Sequence, residues 1–195
     1  TVWCPAEKCS EACTRIARKI AAEQGITLLE APVDNSAGVH EAAVSLTARG
    51  VEAIWVGGDN TVETAIGEIV TAASRTRIPV FVNTPDHVKM GALFGLGADY
   101  AVVGREVGRL AGRVLNGLAP AEVPIENVVP PQLSVNRSVL AALGGNWQIA
   151  PDVMAAASLV VDDAGTHVRP DPDPSVLRTL RDPESVTTAT ADRRG

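Results

Sequence analysis

Short apolar segments alternate with longer amphipathic segments over the first 83 residues of the chain. The apolar segments predict strands at 1–4, 26–33, 51–58 and 78–83, and the intervening segments predict helices at 5–25, 34–50 and 61–74. The third strand, VEAIWVGG, shows no alternation of apolar and polar residues, which indicates that both of its faces are covered. This order is typical of an α/β fold with a doubly wound, mainly parallel sheet. We expect a single unit with about five strands.

The second half of the chain continues this pattern less regularly. A loop and a glycine-punctuated strand precede a predicted helix at 102–117, and a Pro-rich stretch then leads to a strand at 133–136 and a small helix at 137–145. The segment at 162–195 is rich in Pro, Asp, Arg and Thr and lacks a core pattern. We therefore divide the chain into an α/β lobe at 1–161 and a C-terminal tail at 162–195.

The charge balance limits the partners of the chain. With 17 Lys and Arg against 23 Asp and Glu, the net charge is −6, whereas nucleic-acid binding needs a basic surface. The same balance disfavours binding to anionic membrane surfaces, and no apolar run approaches the length of a membrane span. The chain begins inside a predicted strand, without an initiator Met or a signal peptide, so we expect that an upstream segment has been removed.

Three cysteines lie close together at the start of the chain: Cys4, Cys9 and Cys13. Cys9 and Cys13 are four residues apart and share a face of the predicted helix. A zinc site normally needs four ligands and the three histidines are scattered, so a metal site is disfavoured. The alternatives are a Cys4–Cys9 disulfide or buried thiols, and the odd number leaves at least one thiol free or paired outside the chain.

Polar residues follow each predicted strand at one edge of the sheet, where ligands of open parallel sheets bind. The third strand ends in the segment GGDNT at 57–61. Helix N-termini at this edge attract anions, and the carboxylates Asp59 and Asp86 attract cations, so the edge suits a zwitterion. Helix capping is the alternative role of these residue types. The polar junction residues are Ser10, Asp34, Asn35, Asp59, Asn60, Thr61, Asn83, Thr84 and Asp86.

The sequence lacks the motifs of several enzyme classes. No glycine-rich dinucleotide or phosphate-binding loop is present, and no G-x-S-x-G motif occurs. A nucleophilic Cys4 or Cys9 would need a base, and His87 is the candidate at the same edge. Because this pairing rests on residue type alone, we expect a protein that binds a ligand and is not an enzyme.

Three segments of the chain carry a family resemblance. Those at 25–70 and 78–126 resemble, in order and spacing, the ABC transporter substrate-binding proteins of the tryptophan/tyrosine-uptake type. The segment at 146–161, NWQIAPDVMAAASLVV, is similar to the usual ending of that family. The resemblance covers about 1–161 and implies a type I periplasmic-binding fold, in which two α/β lobes joined by a hinge hold the ligand between them. A strand like TVWC opens the second lobe in that family, so this chain is expected to be mostly that lobe.

The resemblance also implies a set of ligand-binding residues. The aromatic-Asn-Pro loop of the family corresponds to Trp3-Cys4-Pro5 and its Asn-Ser pair to Cys9-Ser10, with Cys in place of Asn in both. Its Asp-Asn-Thr is intact as Asp59-Asn60-Thr61, and its Asp-Ser corresponds to Asp86-His87. We expect Asp59 to take a cationic group of the ligand, and the N–H groups of Asn60 and Thr61 or the hydroxyl of Ser10 to take an anionic group. The implied ligand-binding set is Trp3, Ser10, Asp59, Asn60, Thr61, Asp86 and His87.

Within the predicted helix at 102–117, the part from Gly104 to Leu115 resembles the helix that crosses back to pack on the first lobe in that family. Glycines 104, 108 and 112 form a row of small residues on it, which is typical of close packing against another element. The apolar face of this helix is therefore expected to be exposed here, or covered by a second copy of the chain or by the tail. This face consists of Val103, Val107, Leu110 and Val114.

The sequence favours the ligand-binding lobe of an ABC importer that recognises an amino acid or a similar small polar solute and acts by closing around it. The implied partners are the ligand, the transporter permease and the first lobe or a second copy, with no nucleic acid, no cofactor and no metal. The implied location is extracytoplasmic, periplasmic or as a membrane-anchored lipoprotein, although this chain carries no signal. The alternative is a small-molecule-sensing effector domain of a regulatory or signalling protein, because this fold serves both roles. That alternative needs an output module, which the sequence lacks.

Overall fold

The computed structural model describes residues 1–123, 129, 131–145 and 147–169. The strands in this part are β1 (Val2–Trp3), β2 (Ala31–Pro32), β3 (Ile54–Val56), β4 (Val80–Val82), β5 (Phe94–Ala98), β6 (Pro131–Asn136), β7 (Leu159–Asp162) and β8 (Gly165–Val168). The helices are α1 (Lys8–Glu23), α2 (Val39–Ala48), α3 (Asn60–Glu63), α4 (Ile66–Arg75), α5 (Tyr100–Leu115), α6 (Arg137–Ala142) and α7 (Pro151–Ala156). Short 3₁₀ helices lie at Ser36–Gly38, Pro85–Met90 and Pro120–Glu122.

The described strands form a two-stranded sheet, β1-β2, and a six-stranded sheet in the order β3-β4-β5-β6-β7-β8. The pairs β1-β2, β3-β4, β4-β5 and β6-β7 are parallel, whereas β5-β6 and β7-β8 are antiparallel. The predicted α/β class and the mainly parallel sheet are confirmed. The larger sheet is nevertheless mixed, because its C-terminal half contains the antiparallel pairs β5-β6 and β7-β8. Its six strands in the described chain agree with the expectation of about five.

The strand β8 falls within the segment that the sequence predicts to be an unpatterned tail. It pairs with β7 across a two-residue turn, in which the Asp162 carboxylate accepts the N–H of Ala164 at 2.9 Å and contacts His167 Nε2 at 2.9 Å. All four residues of β8 are exposed, so no alternation of apolar and polar residues marks this strand. The division of the chain at 161/162 stays a prediction, and the tail residues 170–195 lie outside the described part.

The main core is built from small aliphatic side chains because the chain has few aromatic residues. Val39, Ala43 and Leu46 are the buried residues of α2, at helical spacing, and α4 buries Ile66 and Ile69 in the same way. These side chains pack with the buried residues of β1, β3 and β4 in one cluster. A smaller cluster forms where β6 and β7 meet α7. Burial of these apolar surfaces is the main force that holds the helices on the sheet.

The third predicted helix is divided into α3 and α4. The break follows Glu63, and Ala65 has φ −113° and ψ 23°, outside the helical region. The Thr64 hydroxyl donates to the Thr61 carbonyl oxygen at 2.9 Å, a local side-chain bond of the kind that competes with helix continuation. Val62 and Ile66, on either side of the break, are both fully buried.

The apolar face of α5 is at most partly covered by the described residues, in agreement with the exposed face that the sequence predicts. No residue of α5 is buried: Val107 is 56% exposed, while Val103, Leu110 and Val114 are half-buried. Within the described part of the chain, no atom other than those of adjoining residues and the backbone of α5 itself lies within 4 Å of a Cβ placed on Gly104, Gly108 or Gly112. The close packing expected for this glycine row is therefore not made by those residues.

The glycines of β5 are required by the loop that follows β4. A Cβ on Gly97 would lie 1.7 Å from the carbonyl oxygen of Asn83, and one on Gly95 would lie 2.9 Å from Cα of Pro85. Both contacts are with backbone atoms, which cannot move aside without displacing the loop. The glycine punctuation of this strand thus fixes the position of the loop Asn83–Pro85 at the carboxyl edge of the sheet.

We expect Gly97→Ala to lower the free energy of unfolding by about 1–3 kcal/mol or more, because the new methyl group overlaps the Asn83 carbonyl. The matched control is Gly108→Ala on the open face of α5, which should raise the free energy of unfolding by about 0.5–1 kcal/mol through higher helix propensity. Urea denaturation of both variants measures these values. Equal effects of the two substitutions would contradict the proposed contact.

Candidate functional site

The side chain of Asp59 lies at the centre of the carboxyl edge of the sheet. Oδ2 accepts the N–H of Cys4 at 2.6 Å and the hydroxyl of Ser10, and Oδ1 accepts the N–H of Val62 at 2.9 Å. Asp59 is only 3% exposed and is the N-cap of α3. This one carboxylate therefore joins the end of β1, the first turn of α1 and the start of α3.

The side chain of Glu7 also binds the N-terminus of α3. Its carboxylate accepts the N–H of Asn60 at 3.0 Å, the N–H of Thr61 at 2.7 Å and the hydroxyl of Thr61. The Thr61 hydroxyl, assisted by the two N–H groups, holds the pKa of Glu7 below its ordinary value of 4.5, against an opposing effect of burial. The sequence predicts that these N–H groups donate to an anionic group of the ligand. In this structure they donate to the carboxylate of Glu7, a residue of the chain itself.

Glu63 connects α3 to the loop after β4. Its Oε2 accepts the Thr84 hydroxyl at 2.8 Å, and its Oε1 makes a long contact of 3.4 Å with the N–H of Asp59. In the same loop, Asn83 Oδ1 accepts the indole N–H of Trp55 at 3.2 Å. Glu63 is half-buried, so its carboxylate stays accessible, in contrast to that of Asp59.

These residues surround a cleft of about 500 Å³ at the carboxyl edge of the sheet. The first two turns of α1, the start of α3, the ends of β4 and β5, and the start of α5 contribute to its wall. Among the described residues that line it, none is Lys or Arg, whereas Asp59 and Glu63 are acidic. The lining residues are Cys9, Cys13, Gly58, Asp59, Asn60, Glu63, Asn83, Thr84, Gly97, Ala98 and Tyr100.

The cysteines are free in this structure, so the Cys4–Cys9 disulfide alternative is not observed. Cys4 is buried in the core, which agrees with the buried-thiol alternative for this residue alone. Cys9 is exposed and Cys13 is half-buried, and both line the cleft. Among the residues described here, no group of three or more His, Cys, Asp and Glu side chains is placed to hold a metal ion.

The structure brings some of the predicted ligand-binding residues to the cleft and places others elsewhere. Asp59 and Asn60 line the cleft, whereas Ser10 is 2% exposed beneath Asp59. The hydroxyl and N–H of Thr61 point to Glu7.

The remaining predicted residues, Trp3, Asp86 and His87, are absent from the cleft wall. Trp3 is half-buried, with the Arg18 guanidinium 5.2 Å from its ring centre. Asp86 is exposed, forms an ion pair with Lys89 at 2.8 Å, and borders a neighbouring depression. His87 is half-buried on the same 3₁₀ helix, and its Nδ1 has no hydrogen-bond partner among the described residues.

The site interpretation of the sequence omitted Glu7 and Glu63. Glu63 lies four residues after Asp59, a spacing close to that of a capping box, in which a Glu reaches back to the N-cap N–H. This spacing is a signal that the sequence contains. Glu7 offers no such local signal, because its partners Asn60 and Thr61 lie more than fifty residues away in the chain.

Known proteins resemble this chain over most of its described length. Residues 1–160 match the profile of the family described as ABC transporter substrate binding protein. A tyrosine-binding protein from Clostridioides difficile (strain R20291) is 27% identical over 116 residues, which cover 60% of this chain and 33% of that protein. The resemblance deduced from the sequence is confirmed. None of the helices in the described ranges combines the length and the apolar character that crossing a membrane requires.

Solved structures share the same fold. A conserved domain protein from Vibrio cholerae O1 biovar El Tor gives a TM-score of 0.70 at 28% identity, covering 82% of this chain and 53% of that one. An ABC domain in complex with L-Trp from Streptococcus pneumoniae gives a TM-score of 0.68 at 23% identity with the same coverage. The periplasmic-binding-protein-like fold is thus confirmed. This chain spans about half the length of these structures and a third of the curated relative.

Replacing Asp59 should destabilise the fold. We expect Asp59→Ala to lower the free energy of unfolding by about 3 kcal/mol or more, because two backbone N–H groups and the Ser10 hydroxyl lose their acceptor in a buried position. Asp86→Ala is the matched control, since its exposed ion pair with Lys89 should contribute less than about 1 kcal/mol. Urea denaturation measures both. A small loss for Asp59→Ala would show that its hydrogen bonds do not hold the three elements together.

The clamp of Glu7 on α3 should make stability depend on pH. A pKa that is lower in the folded chain than in the unfolded chain stabilises the fold above pH 4.5, and this contribution is lost as the pH falls through the folded-state pKa. The stability difference between wild type and Glu7→Gln should therefore be largest near neutral pH and shrink below about pH 4. Glu11→Gln, in the first turn of α1 and paired with the exposed Lys8, should show a smaller change. Urea denaturation over this pH range measures both, and a difference that grows in acid would contradict the clamp.

Proposed function

Because this chain belongs to the family of ABC transporter substrate binding proteins, we propose that it forms one wall of a solute-binding cleft and recognises the ammonium group of an amino acid or a similar small solute. The cleft closes around the solute and no bond of the solute is changed. This proposal concerns the described lobe. We further propose an extracytoplasmic location, with an ABC permease as the partner of the whole protein.

The acidic lining of the cleft is the observation that carries this proposal. With Asp59 and Glu63 among its described lining residues and no basic side chain there, the wall favours a positively charged group. The two carboxylates do not have equal roles, because all three strong donors to Asp59 come from the chain. Glu63 keeps an accessible carboxylate and is our choice for the direct ammonium contact, with Asp59 behind it and Asn60 beside it.

The carboxylate of the solute is assigned to the opposite wall of the cleft. The N–H groups of Asn60 and Thr61, which have no acceptor within α3, already donate to the carboxylate of Glu7. They therefore offer no place for a second anion. The matched relatives are two to three times as long as the part that this chain covers, which supports a second wall outside it. The curated relative that is named as a tyrosine-binding protein supports an amino acid as the solute.

Other predicted ligand residues keep supporting roles in this proposal. Ser10 and Thr61 hold Asp59 and Glu7 in place through their hydroxyl groups. Asp86 borders the adjoining depression, which shares Thr84, Ala98 and Tyr100 with the cleft. His87 follows Asp86 on the same 3₁₀ helix. Tyr100 is 73% exposed at this shared rim and is available to cover an aromatic solute.

Amide chemical-shift mapping of the 195-residue chain with millimolar tyrosine tests the proposed ammonium contact. Half of a cleft should bind weakly, and NMR detects weak binding through shifts of cleft amides such as Asn60, Asn83 and Thr84. Glu63→Gln should reduce the affinity by about tenfold or abolish the shifts, since a charged hydrogen bond contributes about 1.5–3 kcal/mol. Glu68→Gln is the control, because Glu68 pairs with His40 at 2.8 Å away from the cleft.

Two analogues of tyrosine determine which end of the solute this lobe recognises. Tyramine keeps the ammonium group and lacks the carboxylate, so it should shift the same amides. N-acetyltyrosine keeps the carboxylate and lacks the ammonium group, so it should not. Shifts with N-acetyltyrosine but not with tyramine would reverse the assignment of the two walls.

A further inference from the structure

We propose that Cys9 and Cys13 are a redox modification site on the cleft wall, at which a low-molecular-weight disulfide such as glutathione disulfide converts the two thiols into a reversible intramolecular disulfide. The proposal does not depend on the identity of the solute. It rests on the position, the accessibility and the chemical surroundings of the two sulfur atoms.

The sulfur atoms of Cys9 and Cys13 both lie close to Gly58. A Cβ placed on Gly58 would lie 3.4 Å from Sγ of Cys9 and 3.9 Å from Sγ of Cys13. The two residues stand four apart on α1, so their side chains project from one face of the helix. Both line the cleft, where a small thiol-reactive molecule has access.

Accessibility separates this pair from the third cysteine. Cys9 is exposed and Cys13 is half-buried, whereas Cys4 is buried in the main core. Exchange therefore begins at Cys9, and Cys13 is the nearest thiol that can complete it. Cys4 cannot compete while the chain is folded.

The reaction takes place in two balanced exchange steps. The Cys9 thiolate attacks glutathione disulfide, which forms a Cys9–glutathione mixed disulfide and releases one glutathione thiolate. The Cys13 thiolate then attacks the Cys9 sulfur, which forms the Cys9–Cys13 bond and releases the second glutathione thiolate. Each cysteine thiol gives up its proton to solvent, the released thiolates take up protons, and glutathione disulfide is the oxidant that is reduced.

The surroundings slow the first step at neutral pH. The charge of the neighbouring Cys13, burial and a hydrogen bond with Cys13 raise the pKa of Cys9 above its ordinary value of 9.0, and the carboxylates of Glu7 and Glu63 act in the same direction. The thiolate is the reactive form. At pH values below that pKa, each increase of one pH unit should therefore raise the rate by about tenfold. Removing a nearby carboxylate should speed the reaction at neutral pH.

The bond should also be easy to reduce. Cβ atoms four residues apart on a helix are about 5–6 Å apart, whereas a disulfide needs about 3.5–4.5 Å. The first turn of α1 must therefore shift when the bond forms, against the hydrogen bond that Ser10 of this turn donates to Asp59. Strained and exposed disulfides are the ones that exchange readily.

Peptide mapping tests the proposal on the 195-residue chain. After incubation with glutathione disulfide, free thiols are alkylated and the protein is digested with trypsin, which cleaves after Lys8 and Arg15. The peptide 9–15 then contains both Cys9 and Cys13, while Cys4 lies in a separate peptide. We expect peptide 9–15 to lose two hydrogen atoms, to remain unalkylated, and to recover both thiols after treatment with dithiothreitol.

Variants and an unfolded control make the result specific. Cys13→Ser should stop at the Cys9–glutathione mixed disulfide, Cys4→Ser should behave as wild type, and Glu63→Gln should react faster at pH 7. In concentrated urea the same wild-type chain should give Cys4 disulfides as well, since burial no longer protects that thiol. An unreacted pair at pH 9, a stable mixed disulfide in the folded wild type, a bond to Cys4 or disulfide-linked dimers would each overturn the proposal.

Discussion

The carboxylate of Asp59 is the interaction on which the carboxyl edge of the sheet depends. It accepts hydrogen bonds from β1, α1 and α3 at once, and it is almost fully buried where it does so. A buried charge is tolerated when several donors surround it, and its removal would leave those donors without partners. The wall of the cleft is therefore assembled around a buried carboxylate that three hydrogen bonds from the chain stabilise.

The second carboxylate, Glu7, completes the same arrangement from outside. The N–H groups at the start of α3 have no acceptor within the helix, so they form an anion-binding position at this edge. The carboxylate of Glu7 occupies it. Two groups that the sequence offers to a zwitterion are thus engaged within the chain. Of the two described acidic residues that line the cleft, Glu63 is the one that stays accessible. It is the carboxylate that we propose for the positive end of the solute, with the negative end at a partner surface.

The alternation of strands and helices, the parallel core and the edge that carries the cleft could all be predicted from the sequence, because they depend on local periodicity and on the rule for open sheets. The hydrogen bonds between Glu7 and Thr61 could not be predicted, since the two residues are far apart in the sequence and no local pattern connects them. Asp59 is recognisable as a polar junction residue, but its burial depends on how closely α1 approaches the end of β3. The strand β8 escaped prediction because it has no buried face.

The glycines of GGDNT explain that close approach. A Cβ on Gly57 would lie 2.9 Å from the Trp55 ring and 3.3 Å from Cβ of Cys13, so a side chain there would push α1 away from the end of β3. With no side chain at this point, α1 comes close enough for Asp59 to accept the hydrogen bond of Ser10. The same closeness leaves the part of the cleft floor at Gly58 as bare backbone and brings the Cys9 sulfur over it. The glycines therefore determine both the buried carboxylate that holds the edge together and the open space beside Glu63 that a solute can enter.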